Sequence, residues 1–424
     1  MKTMILTQKN RLKLSSTKLE IVRQLSYYSA RLYNVGLYSV RQYYFNNNAY
    51  LPYAKNYHEC KENENYKLLL SNTSQQILRI VDRNFKSFFG LLKLKSQDKY
   101  TEKIRIPRYK KQDELMNITI QGRSARIRKG YVIIGLSKAF REKHKPSFKE
   151  LKFKLPKNIT VDKLQEVRIL PIFNGKEFDI EFVYKKEFKP ISVDKDKYLS
   201  IDMGLDNFAT CFNSNDGSSF IIDGRYIKSI NRHYNKQKAY YQSILDRQSI
   251  KVSKKMLTIS RKRYNKINNY FNLAVKYITD YAISKNIGSI VVGDFSDIKR
   301  NINMGKKNNQ NFVNIPYDIF KRKLQSKCEQ LGIRYYLQEE SYTSKCSFLD
   351  NEPIEKHDTY KGKRVKRGLF RTSKGYLINA DVNGAANILV KYLTSNGQLQ
   401  YPVVANRYGC VNYPPRLKLN DLVA

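Results

Sequence analysis

The sequence is poor in side chains that bind soft metals and in those that carry negative charge. It has five cysteines (Cys60, Cys211, Cys328, Cys346 and Cys410) and four histidines. No two cysteines stand as C-x-x-C, so no structural zinc site can be assembled from sequence spacing. A disulfide framework is not expected in a chain of 424 residues. No run of about 18 apolar residues occurs, so no membrane-spanning helix and no membrane partner are expected. The first residues, "MKTMILTQKNRLKL", lack the apolar centre of a secretory signal. Together these absences point to a cytoplasmic protein. Acids number 37 against 79 Lys plus Arg, a formal net charge of +42.

What is present is a globular composition, 41% hydrophobic, in a chain long enough for two or three domains. The positive excess runs along the whole chain rather than sitting in a tail. Such a charge repels itself in a compact fold, and a large polyanion, nucleic acid, is the natural compensation.

The pattern changes along the chain. Residues 4–14 alternate weakly, as a strand does. "TKLE" at Thr17–Glu20 is a capping box opening a helix with Leu19, Val22, Leu25, Leu32 and Val40 at near-helical spacing. A second helix is expected over "TSQQILRIVDRNFKSFFGLLKLK", whose Ile77, Ile80, Val81, Phe85, Phe88, Phe89 and Leu92 form one stripe. From Ile104 to about Pro190 short alternating stretches are split by Gly, Pro or Asn, the texture of a β-barrel or sandwich. Arg123, Arg126, Arg128 and Lys129 cluster there beside a turn, either as a solvated face or as nucleic-acid phosphate contacts. Residues 193–196 read as a linker.

Beyond that linker the pattern is α/β. Strands are expected in "KYLSIDMGL", "NFATCFNS" and "SSFIIDG", then a helical stretch at about 225–286 and a strand at 289–295. A helix follows Pro316 and stops at Gly332. Then come a strand in "IRYYLQEE", a polar insert and a last helix in "NADVNGAANILVKYL". The order β-β-β-α-β-α-β-α is that of an RNase H-like fold. "NMGKKNNQN" (303–311) lacks G-x-x-x-x-G-K-[ST], so it reads as a basic loop rather than a nucleotide site.

That fold serves metal-dependent phosphodiester chemistry, in which carboxylates hold two Mg²⁺ roughly 3.5–4 Å apart. Asp202 closes the first strand in I-D-x-G-L, and Asp381 opens D-V-N-G-A-A-N-I. Gly384, Ala385 and Ala386 would let that helix lie close to the sheet.

The segments "IDMGLDNFAT", "NFVNIPYDIFKRKL", "EESYTSKCSFLD", "KGKRVKRGLF" and "INADVNGAANIL" together resemble the OrfB/TnpB family of transposon-encoded, RNA-guided DNA endonucleases, relatives of the type V CRISPR effectors. The resemblance is best over residues 196–393. It implies a RuvC nuclease domain over 194–395, with a helical insertion at 225–286. It also implies an N-terminal wedge β-barrel (1–14 and 100–193), an inserted helical recognition lobe (15–99) and a C-terminal tail (396–424). The implied partners are a guide RNA from the transposon end and double-stranded target DNA beside a short flanking motif. The implied cofactor is Mg²⁺, with Mn²⁺ able to substitute. The implied setting is prokaryotic cytoplasm, at the nucleoid when bound. The alternative is a nuclease-inactive, RNA-guided DNA-binding regulator of the same descent.

Two departures from the family pattern stand out. Many members carry a four-cysteine zinc ribbon after T-S-K; "TSKCSFLD" keeps only Cys346, so the insert at 341–376 is expected to be zinc-free. Members also read V-V-E-D at the fourth strand, where this chain reads Val291-Val292-Gly293-Asp294. Asp294 matches the family's own Asp, and neighbouring strand residues face opposite ways. The fifth strand, about 4.8 Å away, ends in Gln338-Glu339-Glu340, and a Glu there can reach through the gap at Gly293. Glu340 shares a face with Tyr336 and Gln338 and is the candidate; Glu339 is the alternative. Asp202, Glu340 and Asp381 are thus the expected catalytic and metal-holding residues.

Overall fold

The structure, a computed structural model, describes residues 2–144, 147–160, 162–294, 315–397 and 413–423. The chain divides into two compact units, residues 3–187 and 188–424, six residues before the expected boundary.

The N-terminal unit begins with β1 (Lys2–Arg11) and α1 (Ser16–Asn47). The Ser15 side chain caps α1, one residue before the helix and ahead of the expected Thr17. Two short helices, α2 (Tyr53–Cys60) and α3 (Glu64–Leu68), lead to α4 (Ser71–Ser96). The stripes read from the sequence meet in one core, with Ile21, Val22, Leu25 and Leu32 of α1 and Ile77, Val81 and Phe85 of α4 all buried. Next come β2 (Ile118–Gln121), β3 (Arg126–Arg128), β4 (Tyr131–Gly135), α5 (Lys138–Lys143), β5 (Glu150–Lys154), β6 (Leu164–Ile172) and β7 (Glu177–Phe188). They form two sheets, ordered β1-β7-β6-β2 and β3-β4-β5. The β6–β7 hairpin turns through Phe173, Asn174 and Gly175, all at positive φ.

The C-terminal unit is built on a six-stranded sheet. Its strands are β8 (Asp194–Asp202), β9 (Asn207–Asn213), β10 (Ser219–Asp223), β11 (Ile287–Asp294), β12 (Arg334–Glu339) and β16 (Arg416–Leu417). The order is β12-β11-β8-β9-β10-β16. The β8–β9 and β9–β10 pairs are antiparallel; β8–β11 and β11–β12 are parallel. This is the order of an RNase H-like fold. Residues 194–196 are not linker but the start of β8: Asp194 pairs with Ile287, and its N–H donates to the Asn286 side chain. The C-terminal segment is more than a tail. Strand β16 extends the sheet parallel to β10, and Leu422 is buried in the domain core.

The helical stretch after β10 is a hairpin of α6 (Arg225–Arg247) and α7 (Lys254–Ser284). Helix α8 (Tyr317–Leu331) ends at Gly332, where φ is +78°. Both faces of the parallel strands are covered, which is why Ile290-Val291-Val292 is an unbroken apolar run. Leu199, Ile201, Ile290 and Val292 pack with α7 and α8. Val291, Tyr198 and Tyr336 pack with the last helix, α9 (Ala380–Ser395).

The insert between β12 and α9 carries a small sheet of β13 (Lys363–Lys366), β14 (Leu369–Arg371) and β15 (Leu377–Asn379). Its loops are held by polar side chains. Asn383 Nδ2 donates to the Cys346 carbonyl at 2.8 Å; Asn387 Nδ2 reaches the Thr343 and Cys346 carbonyls. The Asp350 carboxylate accepts from Ser347 and Ser373. Glu352, only 2% exposed, accepts from the Ser347 N–H at 2.7 Å and the Lys361 N–H at 2.8 Å.

Removing that carboxylate strands two backbone donors. Glu352→Ala should therefore cost about 2 kcal/mol or more, because an unsatisfied buried N–H costs about 1–3 kcal/mol. Glu352→Gln, which keeps one acceptor oxygen, should cost less. Urea unfolding followed by proteolysis within 341–376 reads both, and equal stability of all three proteins would refute this account of the insert.

Candidate active site

Strand β8 carries Asp202 to the sheet end on the α9 face, the face shared by Ser200, because strand residues alternate. Helix α9 lies directly against it: a Cβ on Gly384 would come 2.8 Å from Asp202 Oδ2. Gly384 is thus a packing requirement of the acid beneath it.

Asp381 stands in the first turn of α9, where the helix N-terminus favours negative charge. The Asn379 side chain caps that turn, accepting from the Asp381 and Val382 N–H groups. Asn207 Nδ2 donates to Asp381 Oδ2, and Arg364 Nη2 donates to Asp381 Oδ1 at 3.2 Å.

Glu340 follows β12, whose register sets Gln338 opposite Gly293 and Glu339 opposite Asp294. A Cβ on Gly293 would lie 2.0 Å from Glu340 Oε1 and 2.8 Å from Ile388 Cδ1. The Glu340 carboxylate occupies the space that a side chain at 293 would need. Its Oε1 is buried without a hydrogen-bond partner. The other acids there are engaged elsewhere. Glu339 is exposed and pairs with Lys391 Nζ at 2.6 Å. Asp294 accepts from Lys321 Nζ of α8 at 2.9 Å.

The electrostatics follow from this crowding. Burial, then the neighbouring Asp381 charge, raises the Asp202 carboxyl above the ordinary carboxylate range. Burial, then Asp202, Asp294 and Glu339, raises Glu340 as well. Lys391 and Ser341 outweigh the burial of Glu339 and hold its carboxyl below the usual value.

Asp202 and Asp381 line a cleft of about 610 Å³ with Asp206, Asn207, Arg364, Arg367 and Arg416. Glu340 stands behind Asp202 and is not part of that lining. The structure therefore links Asp202 with Asp381 across the cleft and Asp202 with Glu340 through the sheet end. Among the described residues, no three His, Cys, Asp or Glu side chains converge into a ready metal-holding group. Hard carboxylate oxygens, one of them orphaned, still suit a divalent cation. Once Arg364 leaves Asp381, the donor types fit.

Sequence reasoning missed the basic rim. Arg367 and Lys228 both pair with Asp206, and Arg416 reaches the Asn207 side chain at 2.6 Å. Arg364 and Arg367 fall in "KGKRVKRGLF", where periodicity carries no signal about the cleft. The Arg126, Arg128 and Lys129 cluster belongs to the other unit and is exposed around β3. The Arg123 side chain and the 303–311 loop lie outside the described residues, as does Cys410. No helix among the described residues is long and apolar enough to cross a membrane.

Comparison with known proteins covers both halves of the C-terminal unit. Residues 181–299 match the OrfB_IS605 family, described as a probable transposase, and residues 317–388 match the Cas12f1-like TNB domain. The TnpB-like protein ORF457 of Acidianus two-tailed virus is 26% identical over 414 residues, covering 87% of this chain and 83% of its own length. A solved Cas12f1-sgRNA-target DNA complex has a protein of the same fold, with a TM-score of 0.60 at 16% identity, over 89% of this chain and 83% of that one. The two family matches and the viral relative make this chain similar to TnpB-type proteins, and the Cas12f1 protein shares its fold.

Proposed function

We propose that the chain is an RNA-guided DNA endonuclease of a transposable element, cutting DNA beside a short flanking motif with its RuvC-type domain. The observation that carries this reading is the Gly293–Glu340 exchange, which returns an acid to the sheet end beside Asp202. Similarity to a TnpB-like protein and the shared fold with an RNA- and DNA-bound protein support the substrate class. In this reading Asp202, Glu340 and Asp381 hold Mg²⁺ or Mn²⁺. A bound divalent ion would supply an activated water and stabilise the leaving oxygen. Asn207 fixes the Asp381 carboxylate, and Arg364 and Arg367 set guanidiniums at the rim for phosphate oxygens of the bound strand. The N-terminal unit is read as the wedge and recognition lobe, with Arg126, Arg128 and Lys129 as phosphate contacts. The 341–376 insert is read as zinc-free, and the guide as a structured RNA from the transposon end.

The Arg364–Asp381 contact favours a second reading, in which the guanidinium permanently replaces a cation and the protein binds without cutting. The two part on one experiment. The protein should co-purify with a discrete RNA and, programmed with it, cleave matching DNA in Mg²⁺ or Mn²⁺. Guided binding without cleavage in either metal leaves the regulator; RNA-free protein that is fully active refutes both.

Substitution separates the acids. Asp202→Asn, Asp381→Asn and Glu340→Gln should each abolish cleavage while leaving guided binding within about twofold, since these acids hold cations rather than the duplex. Asp294→Asn and Glu339→Gln should retain most activity. Gly293→Ala should act like Glu340→Gln, because the added methyl expels the carboxylate. Full cleavage by Glu340→Gln would end the relocated-acid reading.

The raised carboxyls also give a signal without turnover. Asp202 and Glu340 bind protons more tightly folded than unfolded, so their contribution to stability falls as pH rises above the ordinary carboxylate range. In EDTA, Tm should therefore drop between about pH 6 and about pH 8, and Glu340→Gln should flatten the drop. Mg²⁺ should raise the wild-type Tm more at the higher pH. Parallel pH profiles for wild type and variant would refute this linkage.

A further inference from the structure

Between residues 225 and 278 the sequence has 14 Lys plus Arg and one acid, Asp246. These residues form the α6–α7 hairpin. The buried side of α7 is ordinary core: Ile267, Tyr270, Phe271, Ala274 and Ile278 pack on the sheet face opposite α9.

Its outer side is unusual. Positions 255, 262, 269 and 276 recur every seven residues, and 258, 265 and 272 fall between them, so all seven share one face. They are Lys255, Thr258, Lys262, Asn265, Asn269, Asn272 and Lys276, and every one is exposed. A solvated helix face normally mixes acids with bases in i,i+4 pairs. This one carries no acid until Asp280, which meets Lys276 at 3.4 Å. From Lys255 to Lys276 the face runs about 31 Å, at 1.5 Å per residue. That length is of the order of one turn of a double helix.

The same face continues into a groove of about 670 Å³ between α7 and α8, lined by Arg322, Lys323, Lys327 and the Lys276–Asp280 pair, four cations to one acid. Lys323 Nζ donates to Asn272 Oδ1 at 2.7 Å and has no ion pair among the described residues. Burial lowers its ammonium pKa. A partly buried cation without a carboxylate is a site that lacks its anion.

We infer that the outer face of α7 and its groove with α8 form a second nucleic-acid surface, for the backbone of a double-helical RNA, on the opposite side of the sheet from the carboxylate cleft. Lysines answer phosphates. The interleaved Asn265, Asn269 and Asn272 carboxamides both donate and accept, as a 2′-hydroxyl does, and DNA offers no such group. The inference rests on the guided reading, since it gives the structured part of the guide a seat.

The test uses full-length protein freed of nucleic acid at high salt and held in EDTA. Its probes are an RNA duplex of about 16–20 base pairs and the DNA duplex of the same sequence. Lys255→Gln/Lys262→Gln/Lys276→Gln should weaken RNA-duplex binding about tenfold or more and flatten the log–log salt slope by about 2–3. Lys323→Gln/Lys327→Gln should act in the same direction. Lysine acetylation of the wild type, with and without the RNA duplex, should show protection of Lys262, Lys276 and Lys323, and does not depend on any variant folding. Unchanged affinity with no protection overturns the inference. Equal losses on RNA and DNA overturn the assignment to RNA. A wild type that binds the RNA duplex through these lysines yet never cuts guided DNA would overturn the endonuclease reading and leave the surface standing.

Discussion

The nuclease unit depends on one constraint: the Glu340 carboxylate fills space that exists because residue 293 has no side chain. Two chain segments nearly fifty positions apart are joined by that exclusion. Strand β11 must carry glycine at 293, one residue before its end, for the residue after β12 to bring an acid to the α9 face. The acid arrives where burial, and then the Asp202 charge, disfavour its own ionisation. Like charges in a poorly solvated corner are unstable without protons or a cation. The corner is therefore built at a cost to stability when its carboxyls ionise.

Much of the surrounding structure supports that corner. Gly384 lets α9 approach Asp202, and Asn379 sets the turn from which Asp381 projects. Asn383 and Asn387, two turns of the same helix, tie down the loop that follows Glu340 by taking the Thr343 and Cys346 carbonyls. A loop of this kind can be ordered by metal coordination; here buried Glu352 and Asp350 gather backbone and hydroxyl donors within it. Hydrogen bonds donated to these carboxylates hold the loop.

The charge is distributed with similar economy. The cleft rim spends its cations on local acids: Arg367 and Lys228 on Asp206, Arg364 on Asp381. The outer face of α7 has a single acid for them, Asp280 beside Lys276. The 79 Lys and Arg are thus partly counter-charge near the carboxylates and partly open surface, as on the outer face of α7. Only the open part is free to draw a polyanion at long range.

The nuclease fold was legible in the sequence because its signals are local. Apolar runs gave the parallel strands, Pro316 and Gly332 bracketed α8, and D-V-N-G-A-A-N marked a helix that must pack closely. The N-terminal β-region was read as strands but not as two separate sheets, since alternation does not say which strand pairs with which. The start of β8 read as linker because Asp194-Lys195-Asp196 is polar, and only pairing with β11 makes it strand. Strand β16 was invisible for the same reason. Around the carboxylates, the sequence by itself determined that a glycine stands where an acid is expected and that two glutamates end the next strand. Which of the two turns inward was decided by tertiary structure. Lys391 and Ser341 hold Glu339 at the surface, while the void over Gly293 takes Glu340, and both contacts come from residues no local pattern connects.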